Sequence, residues 1–263
     1  MMVGINWTGA LNAELVESLA RSGKIDFVEI MVDNFLCCDP DSVKKVLQGL
    51  PCAFHIMNSQ FLTADCRELQ WCAGEINGLS NALSPMYISD HLGLFSDPEG
   101  RSFPAMMELD YSVEVVEIVA EKILSWSSLL GGNLLLENYA STLPSQIRQA
   151  QFVCEVLKKT RTSLLFDVSN ALVAANNIAD PLEDWLSLLD FTHHLHVGGY
   201  KATTFHPTFL VDDHTTALSA ASLRTISEVT TLGDVHSICL EHDGDHSQQT
   251  WLSEIGAIRD ACR

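Results

Sequence analysis

"FTHHLHVGGY", residues 191–200, sets three histidines within four positions and closes on a glycine pair. Read with the period of two that a strand imposes, Leu195 and Val197 point one way while His194 and His196 point the other. One face suits packing and the other suits chemistry. Whether the imidazoles are incidental depends on how the other strand-like runs of the chain end.

Seven more such runs can be read: "MVGINW" (2–7), "DFVEIMVD" (26–33), "CAFHIM" (52–57), "MYISDHL" (86–92), "NLLLENY" (133–139), "SLLFDVSN" (163–170) and "SICLEHD" (237–243). Helical patterns lie between them. "ALNAELVESLARSG" ends in Gly23 at a C′ position, and "DYSVEVVEIVAEKILSWSSLLGG" is stopped by Gly131 and Gly132. Pro144 and Pro181 stand where they would open helices at N1. Near-continuous apolar strands alternating with helices indicate a parallel sheet covered on both faces. Eight such units in this length predict an α/β fold, a (β/α)8 TIM barrel, as a single domain over residues 1–263. A doubly wound open sheet is the alternative, but no GxGxxG follows the first strand.

In a parallel barrel, chemistry gathers at the carboxyl ends of the strands. There the third run has His55, the fourth His91, and the fifth Glu137 with Asn138. The sixth ends with Asp167 and, one turn on, Asn170; the seventh carries His194 and His196; the eighth ends with Glu241 and Asp243. A single strand-end histidine is more often a hydrogen-bonded core or rim residue than a ligand, and a single Asp or Glu there is often an N-cap. Those readings would have to hold independently at six strands. Imidazoles and carboxylates aimed at one mouth favour a divalent metal site of mixed N/O character. The set is too large for one ion, which predicts two or three metals bridged by carboxylate. Cys239, one pleat below Glu241, is the exception to an all-N/O set, which argues against structural zinc or an iron–sulfur cluster.

After the seventh run, "FLVDDHTTAL" (209–218) offers Asp212 and His214. They read equally as two more ligands or as a polar helix start, capped by Asp213 or Thr215. His193 faces away from His194 and is expected on the surface or against a helix. His206, His236, His242 and His246 have no matching partners in the pattern. "NIADP" and "DPEG" read as turns.

The chain has 263 residues, 47% of them hydrophobic, and no linker, repeat or low-complexity tract divides it. The first twenty residues lack a basic stretch followed by an apolar core, and no apolar run approaches the roughly 20 residues needed to cross a bilayer. A cytoplasmic protein without membrane partners is expected. The eight cysteines include no CxxC, and disulfides are not expected. With 34 acidic against 15 basic residues, the formal charge of −19 disfavours nucleic acid and favours cations and basic partners.

"GINWTG", "KIDFVEIMVDNF", "AFHIM", "YISDHL", "LLLENY", "LLFDVSNAL", "HLHVGGY" and "LEHD" stand in fixed order from about residue 2 to 245. In this the chain resembles the multinuclear non-haem iron-dependent oxidative enzymes, most closely their methanobactin-biosynthesis branch typified by MbnB. The resemblance implies a barrel of the xylose-isomerase-like superfamily. It also implies iron ligands at His55, His91, Glu137, Asp167, Asn170, His196, Asp212, His214 and Glu241. A histidine at position 194 is often lacking outside that branch. "SDHL" departs from the wider "SEHL", though Asp90 faces away from His91. The implied cofactor is two or three irons in mixed Fe(II)/Fe(III) states, with dioxygen as co-substrate. The implied reaction is a four-electron oxidation of a peptide cysteine to an oxazolone with an adjacent thioamide. The implied partners are an MbnC-like protein, forming a heterodimer, and a precursor peptide with a basic leader and a cysteine-containing core. Asp243, just beyond the ligand set, is the candidate catalytic base. A divalent-metal isomerase or hydrolase of the xylose isomerase/endonuclease IV-like superfamily is the alternative function. A non-catalytic metal-binding subunit is a third.

Overall fold

The computed structural model describes residues 1–97, 99–132, 134–244 and 247–263. Asn133 of the fifth run, Pro98 of the "DPEG" turn and His246 lie outside the described residues. Eight parallel strands close into a barrel in chain order: β1 (Met2–Trp7), β2 (Phe27–Met31), β3 (Cys52–Ile56), β4 (Ile88–His91), β5 (Leu134–Glu137), β6 (Ser163–Asp167), β7 (Thr192–Val197) and β8 (Ser237–Leu240). The register from Met2↔Ser237 to Ile5↔Leu240 joins the last strand to the first. The helices are α1 (Ala13–Arg21), α2 (Pro40–Leu47), α3 (Cys66–Leu83), α4 (Val113–Leu129), α5 (Gln149–Thr160), α6 (Val168–Ile178), α7 (Ala220–Leu232) and α8 (Gln248–Ala261), with a short helix at Leu182–Leu186. Among the described helices, none is long and apolar enough to cross a membrane.

Alternation divides each strand between two cores. Outward residues such as Val28, Ile30, Leu134, Leu136, Phe166 and Leu240 pack under the helices. Inward residues Phe27, Ala53, Tyr87, Leu135, Leu165 and Cys239 form a second cluster that fills the amino-terminal half of the barrel. Fully burying side chains of the size of Phe27 or Leu165 stabilises the fold by about 1.5–3 kcal/mol each. Gly4 makes room for this layer, because a Cβ there would meet the Phe27 ring at 2.5 Å.

Several boundaries differ from the sequence reading. β6 stops at Asp167, where α6 takes over, because the Asp167 carboxylate caps the helix by accepting from the Asn170 N–H at 2.6 Å. Pro144 lies in the loop before α5, whose N-cap is Arg148, and Pro181 is itself an N-cap. The proline that opens a helix at N1 is Pro40, behind the Asp39 cap. Gly23 has φ 65°, as a C′ glycine should, and Gly131 and Gly132 end α4 at φ 86° and 103°. Two antiparallel hairpins rise from the carboxyl-end loops: Leu94–Ser96 with Ser102–Met107 after β4, and Tyr200–Ala202 with Leu210–Asp212 after β7. All eight cysteines are free.

Candidate metal centre

One pleat above the apolar layer, the barrel interior turns polar. His55 on β3 is held through Nδ1 by the Ser89 hydroxyl at 2.9 Å, which aims Nε2 at the axis. That Nε2 lies 2.9 Å from Nε2 of His91 and 3.4 Å from Oε2 of Glu137, while His91 Nδ1 is 3.1 Å from the same oxygen. The other Glu137 oxygen, Oε1, faces His196 Nδ1 at 3.3 Å, and Glu241 Oε2 approaches that nitrogen at 3.2 Å. At this level two groups have donor atoms close enough to share an ion, His55, His91 and Glu137, and Glu137, Asp167, His196 and Glu241; a pleat lower Glu29, His196 and Cys239 make another, and His193, Asp234 and His236 one at the far end of the barrel. Glu137 belongs to the first two.

Asn138 orders the second group. Its side chain accepts from the Asp167 N–H at 2.7 Å and donates to the Asp167 carbonyl at 2.9 Å, while Asn170 donates to the Asn138 carbonyl at 2.9 Å. Above them, His214 Nε2 stands 3.0 Å from Asp212 Oδ1 and 3.7 Å from Glu241 Oε2, and its Nδ1 is 3.4 Å from Asp243. His214 holds a left-handed backbone, φ 47°, a conformation that costs about 1–2 kcal/mol for a side-chain-bearing residue. Hydrogen bonds on either side fix it: its N–H donates to the Gly199 carbonyl and its carbonyl accepts from the Asp243 N–H. The glycine pair that closes β7 makes the approach feasible. A Cβ on Gly198 would meet the His214 ring at 2.4 Å, and one on Gly199 would meet the Thr216 carbonyl at 1.9 Å.

The helix-start reading of this loop is not what forms. Asp213 accepts from the Thr215 and Thr216 N–H groups and pairs with Lys201, and α7 begins later, capped by Ser219. Asp212 and His214 instead line a cavity of 280 Å³ together with His55, His91, Glu137, Asn170, Glu241 and Asp243. Asp167 and His196 lie beneath it, fully buried. Every ligand expected from the sequence thus comes to one end of the barrel.

The donor atoms behave as an incomplete set. Asp167 Oδ2 and Asn170 Oδ1 are buried without a hydrogen bond, and Glu137 Oε2, Asp212 Oδ1 and His214 Nε2 are buried with only the ion-pair contacts given above, short of a well-formed hydrogen bond. Orphaned acceptors in such number are costly unless a cation satisfies them. Burial, followed by the charges of Glu137, Asp212 and Glu241, pushes the Asp167 carboxyl well above its ordinary range. Burial would lower His196, but Glu241, Glu29 and Glu137 hold it well above. His214 is likewise raised against its burial by Glu241, Asp212 and Asp243. Burial would raise Glu137, yet His91, His196 and His55 draw it down. His91 is lowered to about 4 by burial and so stays neutral, the form that binds a metal. A set of imidazole and carboxylate donors fits iron, manganese or zinc.

Other residues fall outside the centre. His194 sits a pleat below His196, its ring tilted at 41° against Tyr87 with centroids 4.4 Å apart and its Nδ1 on the Ser237 hydroxyl. Asp90 faces outward, accepting from Trp126 Nε1 at 2.8 Å, and burial pushes its carboxyl up to about 8. His193 and His236 do find partners: their rings stack at 4.8 Å beside Asp234, at the amino-terminal end of β7 and β8. His242 contacts Glu254 on α8. One residue escaped the sequence reading. Glu29 on β2 is 1% exposed, inward, and in contact with His196. Its parity with Phe27 and Met31 carries the signal, but it stands one pleat below the strand end.

The family model described as "RiPP precursor modification enzyme MbnB/TglH/ChrH" matches residues 2–263. A UPF0276 protein of Caulobacter vibrioides is 28% identical over 185 residues, 67% of this chain and 65% of that protein; the chain thus covers slightly less than two thirds of that relative's length. Among solved structures, endonuclease IV from Thermus thermophilus superposes with a TM-score of 0.62 at 16% identity, covering 99% of this chain and 98% of that one. A xylose isomerase-like TIM barrel protein from Mycobacterium smegmatis, in complex with magnesium, gives 0.63 at 14% identity over 95% and 89% of the two chains. At these identities the structural likeness concerns the fold.

Proposed function

Because the chain belongs to the MbnB/TglH/ChrH family of RiPP precursor modification enzymes, we propose that it is a multinuclear iron oxygenase acting on cysteine residues of a ribosomally made precursor peptide. The reaction is the four-electron oxidation of the cysteine to an oxazolone and thioamide, with dioxygen accepting the electrons. The observation that carries this reading is Glu137, whose two oxygens face two separate groups of buried donors. In this reading His55, His91 and Glu137 hold one iron, and Glu137, Asp167, His196 and Glu241 hold a second. Asn170, Asp212 and His214 provide for a third. The cluster would supply open positions for a thiolate and the redox capacity to reduce dioxygen.

The chain's own residues do the rest. Met31, Met57, Met106 and Ala140 line the same cavity and give it a soft apolar wall suited to a cysteine-sized side chain. The hairpin that carries Met106 is latched at the mouth, because the Tyr139 hydroxyl donates to the Met106 carbonyl at 2.9 Å. Asp243 stands at the rim, where its hydrogen bond with His214 holds the carboxyl below its usual range and therefore ionised. In this reading it accepts a proton from substrate. The acidic surface suits a basic leader, and an MbnC-like partner in a heterodimer would help dock it.

The test is metal analysis and Mössbauer spectroscopy of the protein co-expressed with such a partner, followed by oxygen uptake on adding a cysteine peptide. Two or three irons with a coupled pair, and uptake that depends on the peptide, are expected. Retention of zinc or manganese in iron-rich medium, with no oxygen uptake, would transfer the assignment to a metal-dependent isomerase or hydrolase.

A further inference from the structure

His196 is fully buried, and carboxylates engage both of its ring nitrogens. Nδ1 faces Glu137 and Glu241 at 3.3 and 3.2 Å. Nε2 lies 2.8 Å from Oε1 and 2.9 Å from Oε2 of Glu29. A neutral imidazole carries one N–H, and the nitrogen left to a metal is decided by the partner of the other. Glu29 can serve only as an acceptor, so it selects the tautomer with hydrogen on Nε2 and leaves the Nδ1 lone pair for the metal side.

Glu29 is itself held from below. The Tyr87 hydroxyl donates to Oε2 at 2.6 Å, and the Tyr87 ring is clamped in the apolar layer against His194 at 4.4 Å between centroids. The groups facing this carboxylate are Tyr87, His196 and the Cys239 thiol. Among the described residues, no Lys or Arg pairs with it. A buried carboxylate is costly unless its partners donate hydrogen toward it, and a metal-bound imidazole whose N–H is polarised toward Glu29 answers that cost.

We propose that Glu29, braced by Tyr87, is a positioning residue that orients His196 to bind metal through Nδ1. This rests on the metal-centre reading above but not on which reaction the centre performs.

The test uses zinc, which is diamagnetic, in the full-length chain with ¹⁵N-labelled histidine. In the zinc-loaded protein, the His196 resonances, assigned by their loss in His196→Gln, should show a protonated Nε2 and a metal-bound Nδ1. Glu29→Ala should lose that signature and weaken one zinc position roughly 10–100-fold, the usual effect of removing such a support. The His55/His91/Glu137 position should keep its ion. Glu29→Gln, whose amide oxygen can still accept from Nε2, should restore most of the binding and the same tautomer.

A metal on Nε2, sharing Glu29 and sensitive to Cys239→Ser, would overturn the proposal by making Glu29 a ligand. Unchanged affinity and spectrum in Glu29→Ala would overturn it as well. These outcomes are distinct from failure of the metal-centre reading, in which the wild-type chain takes up no zinc and both ideas fall together. The wild-type spectrum decides the tautomer even where the alanine variant fails to fold.

Discussion

Glu137 offers one oxygen to each of two donor groups, so its loss should be felt in both. Glu137→Gln is expected to leave at most one metal ion per chain by elemental analysis and to lower turnover at least 100-fold. Asp243→Asn should behave in the opposite way. Its carboxylate sits outside the buried groups, so metal content should hold while turnover falls by about 10²–10⁴-fold, the usual contribution of a general base. The direction of the pH dependence follows from protons that must leave. His196, His214 and Asp167 all hold protons above their ordinary values in the metal-free chain, and a cation competes with each of those protons. Metal affinity should therefore rise with pH as these groups lose their protons and fall on acidification. Calorimetry in two buffers of different ionisation enthalpy should register proton release. At this scale the candidate ligands His55, His91, Glu137, Asp167, His196 and Glu241 were legible because each is the inward polar residue at or just past the end of a barrel strand. Glu29 was not, because it lies one pleat too deep for that rule. Asp212 and His214 were ambiguous because their neighbours Asp213 and Thr215 satisfy a capping pattern equally well.

The strands were legible as elements because their two-sided apolar character is unusual outside a parallel sheet covered on both faces. Their ends were not, since the switch from β6 to α6 depends on Asp167 capping Asn170, a contact compatible with a longer strand on paper. The hairpins were missed for a similar reason. "SFPAMM" is short, mostly exposed and contains a proline, so it lacks the pattern of a strand that packs. The Gly198–Gly199 pair works at this level by letting one loop lie against the end of β7. Gly198→Ala should push His214 off its position, remove about one metal ion per chain, and destabilise the fold by about 1–3 kcal/mol in denaturant titration, as overpacking does. Tyr139→Phe should release the Met106 hairpin. Faster amide exchange confined to residues 94–107 is expected, with the barrel strands unchanged, because about 1 kcal/mol of hydrogen bonding is lost there.

Across the molecule, net charge and metal content act together. The formal charge of −19 includes several carboxylates packed into the barrel interior, where they repel one another without cations. Chelation should lower the melting temperature. A ligand at 100 times its Kd contributes about 2.7 kcal/mol, which corresponds to roughly 5–10 °C in a chain of this size. Scanning calorimetry with and without chelator measures it. Binding of a basic peptide should weaken as salt rises from about 50 to about 500 mM, while metal content stays constant.

The layer of Phe27, Tyr87, Leu135, Leu165 and Cys239 has a consequence for traffic. It floors the barrel, so the polar centre stands at the bottom of a blind well with its opening at the loop end. Whatever arrives must use the doorway by which products leave. A small reactant and a large one therefore cannot come from opposite sides, and the order in which they enter becomes a matter of which can still pass the other.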